Sequence, residues 1–272
     1  MKPGGYLWWY VDALSDDHSH GFTLIAFVGS VFSPYYHWAG RRDPENHVAI
    51  NVALYGRPGA RWAMTERGRG ALKRDAATFR VGPSGLAWDG EALRIDLHER
   101  SAPFFRPIRG AAVVRPRALT RRAFVLDEAA RHRWAPLAPQ CDFELTLDSP
   151  NLSWTGQAYL DTNDGDEPLE DGFESWDWAR AIGPDGVKIL YETRRRAGGP
   201  MDLALQVAPD GLVSEFTPPP RRALPKGRIW GVPRAIRADD GAPAQVAETL
   251  EDTPFYTRNV VETRVGGAPT TW

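Results

Sequence analysis

The chain opens on Trp8-Trp9-Tyr10-Val11-Asp12-Ala13-Leu14, then a polar stretch from Ser15 to His20, then Phe22-Thr23-Leu24-Ile25-Ala26-Phe27-Val28. Two runs dense in aromatic and β-branched residues, joined by a short polar segment, predict a β-hairpin. The same pattern continues outward from it. His47–Tyr55 alternates Val48, Ile50, Val52 and Leu54, and further short runs lie at Arg61–Glu66, Phe79–Val81, Leu86–Trp88, Leu93–Leu97 and Ala111–Val114. Turn residues such as Gly82-Pro83-Ser84-Gly85 and Asp89-Gly90 separate them. The second half repeats the style at Phe143–Leu147, Leu152–Asp161, Trp176–Ile182, Val187–Arg194, Met201–Val207 and Val260–Val265. Helical spacing is confined to Ala242–Glu251, which predicts one short helix. The fold class is therefore all-β, with enough strands in each half for its own closed or nearly closed barrel. The divide is expected near Asp148-Ser149-Pro150, giving units 1–148 and 149–272. A ligand site is expected between two barrels or in the mouth of one.

With 272 residues the chain can bury a sizeable core. Hydrophobic residues make up 42% and charged residues 25%, which excludes disorder and fibrous classes. A net charge of −2 gives no support for a polyanion-binding face, so no nucleic-acid partner is expected. Cys141 stands alone, which rules out an intramolecular disulfide and a cysteine-based zinc cluster. The first residues, Met1-Lys2-Pro3-Gly4-Gly5-Tyr6, lack the apolar stretch of a secretory signal. The most apolar run, Gly21–Phe32, falls short of the about 20 residues that span a bilayer as a helix. Nucleophile-elbow, phosphate-loop and dinucleotide motifs are missing, which argues against nucleotide chemistry.

The segment from Asp161 to Asp177 is densely acidic and contains no lysine or arginine. It fails the spacing of a calcium loop, since Gly165 and Asp166 occupy the fifth and sixth positions counted from Asp161. A solvated acidic loop is the expectation for most of it, and no metal site is assigned. Asp161 differs from its neighbours because it ends the strand Trp154-Thr155-Gly156-Gln157-Ala158-Tyr159-Leu160-Asp161. Alternation places Tyr159 and Asp161 on one face. Upstream, His132-Arg133-Trp134 places an imidazole and an indole on one face if extended. An acid, an imidazole, a phenol and an indole can thus meet in one cavity, either as a catalytic constellation or as a structural hydrogen-bond network.

At these residues the chain resembles the acyclic carotenoid 1,2-hydratase family, also called hydroxyneurosporene synthase, of phototrophic bacteria. The matching stretches are Pro3–Tyr6 through Trp8–Ala13, Gly21 through Tyr36, Asn51–Gly56, Arg61–Gly68, His132–Pro136, Gly156–Asp161, Pro168–Glu170 and Trp176–Ala181. The resemblance implies two consecutive lipocalin-like β-barrels. It implies hydration without a cofactor, water adding to the terminal C1–C2 double bond of neurosporene, lycopene or their 1-hydroxy derivatives. It implies that His132, Trp134, Tyr159 and Asp161 are the functional positions. A bilayer-dissolved substrate further implies a cytoplasmic protein in peripheral contact with the membrane, through aromatics such as Phe104-Phe105 or Tyr35-Tyr36.

Those residue types suit the reaction. Protonating an isolated alkene at C2 makes a tertiary cation at C1, so the barrier is charge creation in an apolar place. The donor must be a carboxylic acid still protonated near neutrality, whereas free aspartate titrates near about 3.9. Burial in an apolar barrel disfavours the anion and raises that value, which makes Asp161 the candidate acid. A cation over a Trp or Tyr face gains about 0.5–2 kcal/mol, which suits Trp134 and Tyr159. His132 is a candidate to orient water or take its proton, or to hold Asp161 in place. Three rival readings share the pattern: a non-catalytic lipocalin-like isoprenoid carrier, a cofactor-free cyclase or pericyclase, and a glycoside hydrolase using two acids of the 161–177 stretch.

Overall fold

The computed structural model describes residues 1–57 and 59–272, in two compact units. Unit 1 holds Met1–Gly172 with Arg196–Gly198, and unit 2 holds Phe173–Arg195 with Gly199–Trp272. The strands of unit 1 are β1 (Tyr6–Ser15), β2 (Gly21–Val28), β3 (Val48–Tyr55), β4 (Arg61–Arg67), β5 (Leu72–Arg74), β6 (Thr78–Val81), β7 (Ser84–Trp88), β8 (Leu93–Arg100), β9 (Pro107–Pro116), β10 (Phe124–Val125), β11 (His132–Ser149) and β12 (Leu152–Gly165). They form one sheet in the order β4-β3-β2-β1-β12-β11-β9-β8-β7-β6-β5, with β10 paired to β11. The sheet curls back on itself. Trp62 of β4 bridges Ala102, just after β8, and Arg67 of β4 clasps the buried Glu99 of β8 through hydrogen bonds of 3.1 and 2.9 Å. The barrel is nearly closed, as the sequence led us to expect, and the predicted β1–β2 hairpin is present.

Alternation along β1 decides which side is the core. Leu7, Trp9, Val11 and Ala13 pack with Phe22, Leu24, Ala26 and Val28 in the barrel's hydrophobic core. Tyr6, Trp8, Tyr10 and Asp12 therefore project from the opposite face. Tyr6, Trp8 and Asp12 are nevertheless buried, so this strand is covered on both sides.

Unit 2 contains β13 (Phe173–Gly183), β14 (Gly186–Arg195), β15 (Met201–Val207) and β16 (Val213–Glu215) in one sheet. The pair β17 (Arg221–Leu224) and β18 (Arg234–Arg237) makes a second, and β19 (Gln245–Asp252), β20 (Thr257–Val265) and β21 (Ala268–Thr271) a third. They share a small core built on Leu190, Ala204, Leu224, Ile236 and Val261.

Two expectations are corrected. The residues around Asp148–Pro150 are not a domain divide: they turn β11 into β12, two strands of the same sheet, and the units part at Gly172/Phe173. The expected helix over 242–251 is largely strand β19. Its pairing with β20 shifts register between Val246 and Glu248 and again between Thr249 and Glu251. Two such irregularities break the period of two and make the spacing look helical. Among the described residues no helix is long and apolar enough to cross a membrane.

Candidate active site

β12 extends to Gly165, beyond the limit expected at Asp161, and runs between β1 and β11. Ala158 and Leu160 belong to the barrel core, so Tyr159, Asp161 and Asn163 stand on the other face, with Tyr6, Trp8, Tyr10 and Asp12 of β1. His132 and Trp134 join them from β11, opposite Gly165 and Asn163. The candidate site is thus on the outer face of the barrel sheet. The apolar barrel interior expected for the acid is instead occupied by Ala158, Leu160 and their core neighbours.

Three of the four expected residues meet. The Trp134 indole N–H donates to Asp161 Oδ2 at 2.8 Å, and the Tyr159 hydroxyl donates to the same oxygen at 2.8 Å. Trp134, Tyr159 and Asp161 are all buried. Asp161 Oδ1, also buried, has no hydrogen-bond partner among the described residues. Burial pushes this carboxyl up to about 7, against the pull of the two donors, which favour the anion. No lysine or arginine stands on this face of β1, β2, β12 or the first turn of β11, where Thr23, Ile25 and Phe27 complete the set. One oxygen is held while the other is buried with no partner among the described residues, the arrangement of a carboxylic acid kept protonated near neutrality.

Aromatic rings surround the acid's face. Phe124 of β10 lies 5.5 Å from Trp134, centroid to centroid, and Tyr10 stands edge-on to Tyr159 at 6.4 Å. Toward the start of β1, Tyr6 stacks on Trp8 at 4.9 Å, and Trp8 and Phe27 flank Phe32 at 6.1 and 5.5 Å.

His132 sits apart from the acid. Gly165, its partner on β12, is four residues beyond Asp161, about 13 Å at 3.3 Å per residue. Its ring is fully buried. Nδ1 shares a 2.8 Å hydrogen bond with the Tyr6 hydroxyl, and Nε2 lies 3.3 Å from Glu167 Oε1. Asp127 accepts its backbone N–H at 2.7 Å. Two glycines make room for this ring. A Cβ on Gly165 would stand 2.6 Å from Tyr6 Cζ and 2.9 Å from His132 Nδ1, and one on Gly172 would stand 2.5 Å from His132 Nε2. Tyr6, Glu167 and both glycines were not singled out from the sequence. Their one signal was the position of Tyr6 in the β1 alternation.

Several other acids of the 161–177 stretch are engaged in ion pairs, while Asp171 and Glu174 are exposed. Asp164 pairs with Arg133 at 2.7 Å, Glu167 with Arg131, and Glu170 with Arg41 at 2.8 Å. Among the described residues no cluster of histidine, cysteine or acidic side chains is arranged to hold a metal ion. His18 and His20 lie in the β1–β2 connection. His98 is exposed on β8, and His47 pairs with Glu66 at 2.6 Å.

Residues 24–272 match the family model described as carotenoid hydratase CrtC. The chain belongs to the carotenoid hydratase family. It is 54% identical to the acyclic carotenoid 1,2-hydratase of Thiocapsa roseopersicina, over all of this chain and 68% of that protein. It is 50% identical to the same-named protein of Rubrivivax gelatinosus, over 98% of this chain and 67% of that one. Membership makes it an enzyme, a hydro-lyase. Among solved structures, a Nitrosomonas europaea protein, a candidate AttH, superposes with a TM-score of 0.64 at 14% identity, over 98% of this chain and 90% of its own. Kievitone hydratase from Nectria haematococca superposes with a TM-score of 0.56 at 10% identity, over 99% and 88%. At those identities the likeness is one of fold, and it agrees with the all-β, lipocalin-like architecture.

Proposed function

We propose that the chain hydrates the terminal C1–C2 double bond of acyclic carotenoids such as neurosporene, lycopene and their 1-hydroxy derivatives, without a cofactor. The observation that carries this reading is the carboxyl of Asp161, whose Oδ2 is held by Trp134 and Tyr159 while Oδ1 is buried with no partner among the described residues. Oδ1 carries the proton and delivers it to C2. The π pair forms the new C–H bond, and a tertiary cation is left at C1. Cation and nascent carboxylate attract each other in a dry setting, where such attraction is strong. The faces of Trp134 and Tyr159 contribute about 0.5–2 kcal/mol per ring. Water then adds at C1, one of its O–H bonds breaks, and that proton returns to the Asp161 carboxylate, giving the tertiary alcohol and the starting acid. His132 acts as a positioning residue: it ties the start of β1 to the start of β11 through Tyr6, and Glu167 steadies its other nitrogen.

The substrate resides in a bilayer, so the enzyme works in peripheral contact with the membrane on its cytoplasmic side. Of the two aromatic pairs considered, Phe104 and Phe105 are both exposed, whereas Tyr36 is buried beside an exposed Tyr35. The Arg106 guanidinium lies 5.6 Å from the centroid of the Phe104 ring, and Arg100 donates to the Phe105 carbonyl at 3.2 Å. Aromatic and basic groups together suit an anionic lipid interface.

The test is anaerobic incubation with lycopene or neurosporene in detergent, in H2(18)O and without added cofactor, beside Asp161→Asn. Wild-type product carrying one labelled oxygen is expected, and none from the variant. Bound but unchanged pigment under several lipid conditions points instead to the carrier reading.

A further inference from the structure

Unit 2 displays four large apolar side chains on two hairpin connections. Ile229 and Trp230, 75% and 57% exposed, lie between β17 and β18, and Phe255 and Tyr256, 70% and 38% exposed, lie between β19 and β20. Turns are ordinarily built from small and polar residues. Hydrogen bonds hold both connections in shape. In the first, Gly227 N–H donates to the Val232 carbonyl at 2.9 Å and Gly231 N–H to the Gly227 carbonyl at 3.1 Å. In the second, the Thr253 N–H and hydroxyl donate to the Tyr256 carbonyl at 2.9 and 2.8 Å. The two are also tied to each other. Ile229 N–H donates to Asp252 Oδ2 at 2.8 Å. The Arg234 guanidinium donates to the Lys226 carbonyl at 2.8 Å and to Asn259 Oδ1 of β20 at 2.6 Å. A Cβ on Gly227 would stand 2.8 Å from Asp252 Oδ1, so the first connection sits close against the second hairpin. The apolar side chains thus stand together on pre-formed turns, and a contiguous exposed apolar patch marks an interaction surface.

We propose that these two tips form a docking surface by which unit 2 seats on an anionic lipid bilayer. The inference deepens the hydratase reading above, on which the need to meet a bilayer rests, and it is separate from the Phe104–Phe105 contact of unit 1. Charge and residue type favour a bilayer. The stretches 225–232 and 253–256 contain no acid, and their charges are Lys226 and Arg228, both exposed. The acids at the base of the hairpin are occupied within the protein: Glu251 accepts from the Tyr256 hydroxyl at 2.6 Å and pairs across the ladder with Arg258, and Asp252 holds Ile229. Tryptophan and tyrosine beside lysine and arginine suit the boundary between headgroups and acyl chains, and the cations suit its negative surface potential. A stable protein partner needs about 800 Å² from each side, more than four side chains on two turns supply, whereas a bilayer takes up such side chains singly. Ile229, Trp230 and Phe255 enter the acyl boundary, while Lys226 and Arg228 meet lipid phosphates.

The test is flotation of the full chain with phosphatidylcholine vesicles, with and without phosphatidylglycerol, comparing wild type, the triple variant Ile229→Ser/Trp230→Ser/Phe255→Ser, and Lys226→Gln/Arg228→Gln. Wild type should float with the anionic vesicles. The triple variant should partition at least about tenfold less while keeping its melting temperature. The charge variant should lose about tenfold or more at low salt, since each basic residue near an anionic surface is worth about fivefold, and little at high salt. Hydration of lycopene in detergent should be unchanged in both variants, while hydration of vesicle-borne lycopene should show a raised KM. Undiminished flotation of the folded variants overturns the proposal, and so does a variant that floats normally but dissociates a wild-type dimer, which assigns the patch to a second copy. If the triple variant does not fold, brominated lipids decide: they should quench wild-type fluorescence more than that of Trp230→Phe, and equal quenching overturns the surface. A wild type that hydrates lycopene in detergent but never floats refutes the docking surface alone. A wild type that docks through these residues yet hydrates nothing refutes the hydratase reading and leaves the surface standing.

Discussion

Replacing Tyr159 with Phe removes one hydroxyl, keeps the ring, and tests whether Asp161 is the acid. Oδ2 accepts from Tyr159 and Trp134, both at 2.8 Å, and these donors favour the carboxylate. Burial nonetheless holds the group at about 7. A hydrogen bond to a charged group contributes about 1.5–3 kcal/mol, and a pH unit corresponds to about 1.36 kcal/mol. Losing one donor should therefore raise the carboxyl by about one to two pH units, into the range of about 8–9. The acid must be protonated to act, so the alkaline fall of kcat/KM should move upward by the same amount. The plateau should drop by a few-fold, on the order of what a weaker acid loses in proton transfer. The two profiles then cross. By about pH 9 some 1% of wild-type Asp161 is protonated, against roughly 10% or more in the variant, so the variant turns over faster there despite its lower plateau. The assay is initial-rate hydration of detergent-dispersed lycopene from pH 5.5 to about 9.5. An alkaline limb that stays at 7, or moves downward, removes Asp161 from the role of proton donor.

Further consequences are measurable. The Asp161 carboxyl titrates near about 3.9 in the unfolded chain and about 7 in the folded one. The folded state therefore binds the extra proton between those values, and stability falls as pH rises through that window, by about 4 kcal/mol in all. Asp161→Asn removes the dependence, so its melting temperature relative to wild type should climb between pH 5 and 8; a constant difference contradicts the buried-acid assignment. Trp134→Phe keeps a ring face and should retain more turnover than Trp134→Ala, while equal loss in both would assign the effect to the indole N–H or to packing. Gly172→Ala drives a Cβ to 2.5 Å from His132 Nε2 and should cost about 1–3 kcal/mol of overpacking, read by chemical denaturation. Serine at both Phe104 and Phe105 should reduce flotation with anionic vesicles and leave the melting temperature within a few degrees; undiminished flotation moves the contact elsewhere.

What the sequence disclosed follows from the reach of its periodicities. The period of two along Trp154–Asp161 was enough to set Tyr159 and Asp161 on one face, and that pairing is present. It could not say which face was the core. In β1, Trp8-Trp9-Tyr10-Val11 is apolar on both sides because both sides are buried, and a strand covered twice reads as one continuous run. Hence the acid was expected inside a barrel, whereas it stands on the outer face of the sheet. The same blindness separates His132 from the acid. Its spacing from Trp134 is local and correct, but its distance from Asp161 depends on the β11–β12 register, where Trp134 lies opposite Asn163 and His132 opposite Gly165. Register is fixed by tertiary pairing across a hairpin whose turn, at Asp148–Pro150, looks from the sequence like a domain divide. Once that turn joins two strands of one sheet, β12 becomes the central element of the site. It takes Trp134 from β11 on one side and Tyr10 from β1 on the other, residues more than a hundred positions apart that no local pattern could have brought together.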